Sequence, residues 1–291
     1  MDVGERFTME FSYYPGCTLK GSARELDESF RTVSEKLEVS LHEIPDWTCC
    51  GASSAHMVDE FLETALPAKD LVLAERLGRD VVAPCAGCHV RMKAAAMRLV
   101  KEKELQARFP FTGRIKVMSG MDMFGLQELR SRLRRQIVKP LEGLRVVPYY
   151  GCYAVRPPDV VEPADAENPV QMDNLLGDMG AQVVPWPCKV DCCGGSLALT
   201  RKDLVLKLTG RLLDMALLVE ADAIVTFCPM CQANLDTRQG DISHESGKLY
   251  GIPILFLTEL MGVALQAPGT RAWFSKHIVS PEGLLAVKQL I

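Results

Sequence analysis

Ten of the chain's 11 cysteines fall into two sets of five with matching spacing, and this duplication constrains the fold more than any other property of the sequence. The doublet Cys49-Cys50, with Gly51 directly after it, is separated by 34 residues from the C-x-x-C pair Cys85 and Cys88, and Cys192-Cys193, followed by Gly194, by the same interval from Cys228 and Cys231. Each set has a lone cysteine upstream, Cys17 and Cys152, with 31 and 39 residues before its doublet. Cys50, Cys85 and Cys88 map onto Cys193, Cys228 and Cys231 with a constant offset of 143. Such self-similarity marks an internal repeat, and it divides the 291 residues into a first half, 1–140, and a second, 141–291.

The chain is 48% hydrophobic and 24% charged, enough to bury a sizeable core. A net charge of −4 and a pI near 5.8 argue against a nucleic-acid binder, which carries a basic surplus. No apolar stretch follows the polar start Met1 to Arg6, so no secretion signal is expected, and the apolar run Ile252 to Ala267 is short for a membrane span and contains Glu259. The expected compartment is cytoplasmic. Thiols stay reduced there, so dense cysteines read as metal ligands or catalysts before they read as disulfides.

Short β-branched runs alternate with helical periodicity in both halves. Phe11 to Tyr14 predicts a strand that puts Cys17 in a loop, Ser22 to Leu37 a helix, and Val39 to Ile44 a strand. Met57 to Leu77 predicts a helix interrupted near Pro67, Asp80 to Ala83 a buried parallel strand, and Val90 to about Phe109 a helix. The second half repeats this order with strands at Leu144–Val147, Gln182–Val184, Asp222–Phe227 and Ile252–Phe256, and helices at Met172–Met179, Leu204–Val219 and from Thr258. The fold class is therefore α/β, with two homologous βαβ-type halves, small parallel sheets and a pseudo-two-fold internal duplication. All five cysteines of each half should sit at one end of a sheet. The basic run Arg130 to Gly143 reads as a solvated boundary, and Arg156 to Pro169 as the loop that lengthens the second repeat.

A structural zinc site takes four tetrahedral ligands, commonly from two C-x-x-C units, whereas each set here has one such unit and a surplus thiol. A polynuclear iron–sulfur cluster has several irons to satisfy and can use the fifth. Adjacent cysteines on extended chain point to opposite sides, so convergence needs a sharp turn, which Gly51 and Gly194-Gly195 permit. Zinc and redox-relay thiols remain alternatives.

The two copies of C, C-C-G, C-x-x-C resemble the cysteine-rich CCG repeats of the catalytic B-type subunit of heterodisulfide reductase, and the resemblance covers nearly the whole chain. It implies two [4Fe-4S] clusters of noncubane type, one on Cys17, Cys49, Cys50, Cys85 and Cys88, the other on Cys152, Cys192, Cys193, Cys228 and Cys231. It further implies an oxidoreductase that splits a disulfide such as CoM-S-S-CoB between the two clusters. Relatives in dehydrogenase complexes carry similar repeats, and the alternative for this chain is a non-catalytic iron–sulfur subunit of such a complex that only passes electrons. The chain has no ferredoxin-type cysteine run and no G-x-G-x-x-G loop, so electrons must come from elsewhere. The resemblance supplies the partners: a ferredoxin-like subunit of C type and a flavin-bearing subunit of A type.

Other residues have plainer readings beside sharper ones. Cys188 is a small buried hydrophobe or a site-lining thiol. Trp47 and Trp186 precede the doublets as core or as channel walls. His89 is a surface or helix-start histidine or a donor to cluster sulfur. Lys20, Arg156, Lys189 and Arg201 are solvated cations that could meet an anionic substrate. The C-terminal stretch around Trp273-Phe274 and Ile278 to Ile291 packs on its own body or docks a partner.

Overall fold

The computed structural model describes residues 9–52 and 55–291. Among the described residues eight strands form two sheets of four, all parallel: β1 (Met9–Tyr13), β2 (Val39–Glu43), β3 (Val81–Ala83) and β4 (Val117–Ser119) in one, and β5 (Arg145–Tyr149), β6 (Gln182–Val183), β7 (Ala223–Thr226) and β8 (Ile254–Phe256) in the other. The orders β2-β1-β3-β4 and β6-β5-β7-β8 are the same topology twice. The register of the central pair agrees as well: Tyr13 lies beside Val82 in the first sheet, and the equivalent Pro148 beside Val225 in the second. The central strands are buried on both faces, which is why Val81-Val82-Ala83 and Ala223-Ile224-Val225-Thr226 read as unbroken runs rather than alternating ones.

Helices connect the strands: α1 (Arg24–Lys36), α2 (Glu60–Leu77), α3 (Ala86–Lys101), α4 (Gly120–Gly125) and α5 (Gln127–Gln136) with the first sheet, then α6 (Gln171–Asp178), α7 (Lys202–Leu218), α8 (Pro229–Thr237) and α9 (Leu257–Ala264) with the second. Leu26, Phe30 and Val33 form the buried stripe of α1, continued by Leu37 at its C-terminal cap, each worth about 1.5–3 kcal/mol of burial. The halves exchange packing reciprocally. Helix α9 lies on α1, with Ser29 Oγ 2.7 Å from Thr258 Oγ1, while α4 lies on α6, with Gln171 Nε2 donating to Asp122 Oδ1 at 3.1 Å.

Several expectations change in detail. Cys17 is not in a loop but in the first turn of a short helix, Gly16–Lys20. The helical break falls at Asp59, not Pro67: the Asp59 side chain caps α2 by accepting from Leu62 N at 2.9 Å, and Pro67 rides inside the helix. Helix α3 starts at Ala86, four residues early, so Cys88 lies in its first turn and Cys85 at its cap.

The basic run is not merely a solvated face. Arg132 is buried and donates to the carbonyls of Leu37 and Glu38, while Arg130 and Arg134 hold Asp178 at 2.7 and 3.1 Å. Helix α5 therefore ties the two halves together. At the other end of the chain Trp273, Phe274 and Leu285 are buried, so this region packs on its own body. Among the described residues no helix is long and apolar enough to cross a membrane.

Candidate metal centre

Each half brings its five thiols together after the carboxyl ends of its central strands. In the first, Cys50 Sγ lies 3.3 Å from Cys88 Sγ; in the second, the equivalent Cys193 and Cys231 sulfurs are 3.6 Å apart. The N–H of Gly51 points at Cys49 Sγ at 3.4 Å, and that of Gly194 at Cys192 Sγ at 3.3 Å. Both glycines have positive φ, +75° and +79°, the sharp turn expected after each doublet. Gly16 and Gly151 have a second reason to be glycine. A Cβ on either would sit 2.8 Å from the sulfur of Cys88 or Cys231, and both adopt positive φ, at +67° and +69°.

Proton sharing links the members of each set. Cys50 is pulled down to about 3 by hydrogen bonding from Cys49 and then Cys88, and Cys85 is lowered by Cys88, while Cys88 is driven well up by Cys50 and Cys85. Cys49 is raised by Cys50, and Cys17 adds to that rise. In the second half Cys192 is lowered to about 6 by Cys152, Cys193 is lowered by Cys231, and Cys152 and Cys231 are raised by Cys192 and by Cys193 and Cys228 respectively. All ten thiols thus fall into the two sets read from the spacing. Cys188 stays outside: it is buried, with its thiol pushed up to about 11 by burial and then by Asp191.

The donor chemistry suits iron and sulfide, because every group is a thiol and most are buried. Among the described residues no three Cys, His, Asp or Glu side chains close on one point as ligands of a single metal ion do. The sulfur pairs at 3.3 and 3.6 Å are closer than the roughly 3.8 Å kept by two thiolates about 2.3 Å from one tetrahedral ion. They are spaced as thiols sharing protons.

Matching tyrosines, which no sequence motif singled out, back the sulfurs. Tyr14 OH donates to Thr48 O at 2.6 Å and Tyr149 OH to Asp191 O at 2.7 Å, each fastening the residue that precedes a doublet. Burial, and then Cys88 for Tyr14 and Cys231 for Tyr149, holds both phenols far above their ordinary range. A signal existed: each tyrosine stands three residues before the lone cysteine of its set, with glycine between. Trp47 and Trp186 pack edge-on against these tyrosines, at 5.5 and 6.0 Å between ring centroids. Both tryptophans therefore support the site. Asp70 and Asn234 carried no signal of their own: Asp70 accepts from Thr48 N at 2.9 Å, and Asn234 Nδ2 reaches Cys193 O at 3.3 Å.

Between the halves lies a cavity of about 20 Å³, lined by Ala86, His89, Asp122, Tyr150, Phe227 and Cys228 among others. It touches one thiol of the second set directly and the first through Ala86, which adjoins Cys85. The turn Cys152–Ala154 packs on α3, and a Cβ on Gly87 would be 3.9 Å from both Cys85 Sγ and the Tyr153 ring. His89 is buried rather than superficial, and burial lowers its pKa. The four cations near the cysteines are all paired: Lys20 with Glu43, Arg156 with Glu167, Lys189 with Asp173 and Arg201 with Asp203.

A sequence profile of the CCG cysteine-rich domain matches residues 11–93 and 146–236. The chain is 30% identical over 279 residues to the 8-methylmenaquinol:fumarate reductase membrane anchor subunit of Wolinella succinogenes, covering 93% of this chain and 97% of that protein. It is 29% identical over 271 residues to the B-type subunit of the ferredoxin:CoB-CoM heterodisulfide reductase from Methanosarcina mazei, covering 88% and 89%. Among solved structures, a hypothetical protein from Helicobacter pylori superposes with a TM-score of 0.73 at 11% identity over 93% of this chain, which spans about half (52%) of that longer one. That likeness concerns the fold alone.

Proposed function

The chain belongs to the family of cysteine-rich CCG-domain proteins, and on that premise we propose that it is the disulfide-reducing subunit of a multi-subunit oxidoreductase of the heterodisulfide reductase type. The observation that carries this reading is the presence of two complete five-thiol sets beside one cavity between the halves. Likeness to the Methanosarcina protein over 88% of the chain supports it.

On this reading Cys17, Cys49, Cys50, Cys85 and Cys88 would hold one noncubane [4Fe-4S] cluster, and Cys152, Cys192, Cys193, Cys228 and Cys231 the other. When bound, the clusters would supply one-electron chemistry at iron. The chain's own groups do the rest. The N–H groups of Gly51 and Gly194 offset charge on Cys49 and Cys192, and Tyr14, Tyr149 and the tryptophans keep water from the sulfurs. Cleaving a disulfide consumes two electrons and two protons and yields two thiols. The electrons require a donor, for which a ferredoxin-like subunit of C type and a flavin subunit of A type fit, and a reducing, cytoplasmic compartment suits the free thiols. A cavity of about 20 Å³ admits no disulfide, so substrate entry requires it to widen.

That small volume, with the 30% identity to the Wolinella protein, favours a second reading in which both centres only relay electrons. Anaerobic titration of the iron-loaded protein with CoM-S-S-CoB, followed by EPR, separates the two. A disulfide-induced change at the clusters is expected of a reductase. An unchanged spectrum, with electrons still passing to an acceptor, would establish the relay.

A further inference from the structure

Behind the second thiol set runs a buried chain of titratable groups. Gln232 follows Cys231 in α8, and its Nε2 lies 3.4 Å from His277 Nδ1 and 3.4 Å from Asp236 Oδ2. His277 Nε2 is 2.8 Å from Glu259 Oε1, and Glu259 Oε2 accepts from Phe256 N at 2.8 Å. Asp236 accepts from Ile278 N and Val279 N at 2.7 and 2.9 Å. Glu25 of α1 closes the group from the other half of the molecule, and Lys276, bonded to Glu28 at 2.7 Å, marks where it meets solvent. Glu25, Asp236, Glu259 and His277 are all buried.

We propose that this chain of groups takes up a proton when the centre held by the second thiol set is reduced, so that electron and proton enter the second half together. The inference rests on the reading that Cys152, Cys192, Cys193, Cys228 and Cys231 hold a redox centre.

The charge balance supports it. Three buried carboxylates face one imidazole, with Glu28 and Lys276 offsetting each other at the rim, and carboxylates out of water cannot all stay ionised beside one another. Burial and then Glu259 raise Glu25; burial opposes protonation of His277, but the bond to Glu259 outweighs it and raises that group too. Both therefore keep protons to higher pH than they would in water. An electron added beside Cys231 deepens the negative field and strengthens proton binding. One electron arrives from the donor subunit, and one proton comes from bulk water past Lys276 to a carboxylate oxygen of Glu25. At the position equivalent to Gln232 the first half has His89, which lines the cavity instead.

The test is an EPR-monitored redox titration of the anaerobically iron-loaded full chain between about pH 6 and 8, where one proton per electron changes the reduction equilibrium about tenfold per pH unit, or about 59 mV. The second centre is the signal missing from Cys231→Ser. Its midpoint should fall as pH rises, and the slope should vanish in the near-isosteric Glu25→Gln and in His277→Gln. A flat midpoint with the signal present, or a slope surviving in both variants, overturns the proposal. Absence of any iron signal from the second set overturns the underlying metal assignment, and the coupling with it.

Discussion

The two halves agree in how they place sulfur and differ in what stands behind it. Strand order, the glycine beside the buried C-x-x-C sulfur, the tyrosine tied to the residue before the doublet and the flanking tryptophan all occur twice. The electrostatic surroundings do not. Asp70, a buried carboxylate behind the first doublet, is replaced by Leu213, and His89 by Gln232 with its link to His277. Duplication has kept the placement of sulfur and has let the charges drift. Two centres of one shape should therefore differ in potential.

The strongest way to break the comparison is at the shared glycines. Gly16→Ala and Gly151→Ala each place a Cβ 2.8 Å from the sulfur of Cys88 or Cys231 on backbone in the left-handed region, where the strain alone costs about 1–2 kcal/mol. Each should remove roughly half of the iron, with analysis by metal content. Loss of all iron from either variant would mean that the halves do not load independently.

The tryptophans sharpen the comparison next. Trp186 is buried and donates to Pro148 O at 2.8 Å, so Trp186→Ala should cost about 3–5 kcal/mol in denaturant unfolding. Trp47 is only half-buried, and its alanine variant should cost clearly less. A smaller effect separates Asp70 from Leu213. Burial raises Asp70 to about 7 from an ordinary 3.8, against bonds from Thr48 that lower it. A carboxyl raised on folding favours the folded state at low pH and loses that advantage as pH climbs from near 3.8 through about 7. The stability difference between the metal-free protein and Asp70→Asn should therefore change by up to a few kcal/mol across that window and level off above it. The smallest effect lies at the seam between the halves. Asp178→Asn removes the partner of two arginines and should cost about 0.5–1 kcal/mol, diminishing in high salt.

The cysteine spacing made the clustering of the thiols legible because a repeated thiol set leaves a fixed interval in sequence, and the central strands were legible because burial on both faces demands unbroken apolar runs. Strand β4 was not. Val117-Met118-Ser119 is too short for any period, and it is a strand only because β3 lies beside it. Helix α3 begins early because Cys85, Ala86 and Gly87 carry no helix-start chemistry; the turn is set by the strand and the sulfurs around it. Arg132 looked solvated among its basic neighbours, and the carbonyls of Leu37 and Glu38, distant in sequence, together with the carboxylate of Glu128 make its burial tolerable. The tyrosine clamps escaped because aromatic residues at strand ends are common core.

Two independent sulfur quintets that each hold iron would leave a direct chemical signature. Iron, acid-labile sulfide and zinc should be measured on anaerobically purified protein, alongside Cys88→Ser and Cys231→Ser. Roughly eight iron and eight sulfide per chain, falling to about half in each variant, is the expected result for two four-iron clusters. About two zinc ions with little sulfide, or iron that persists unchanged when either cysteine is replaced, would contradict it.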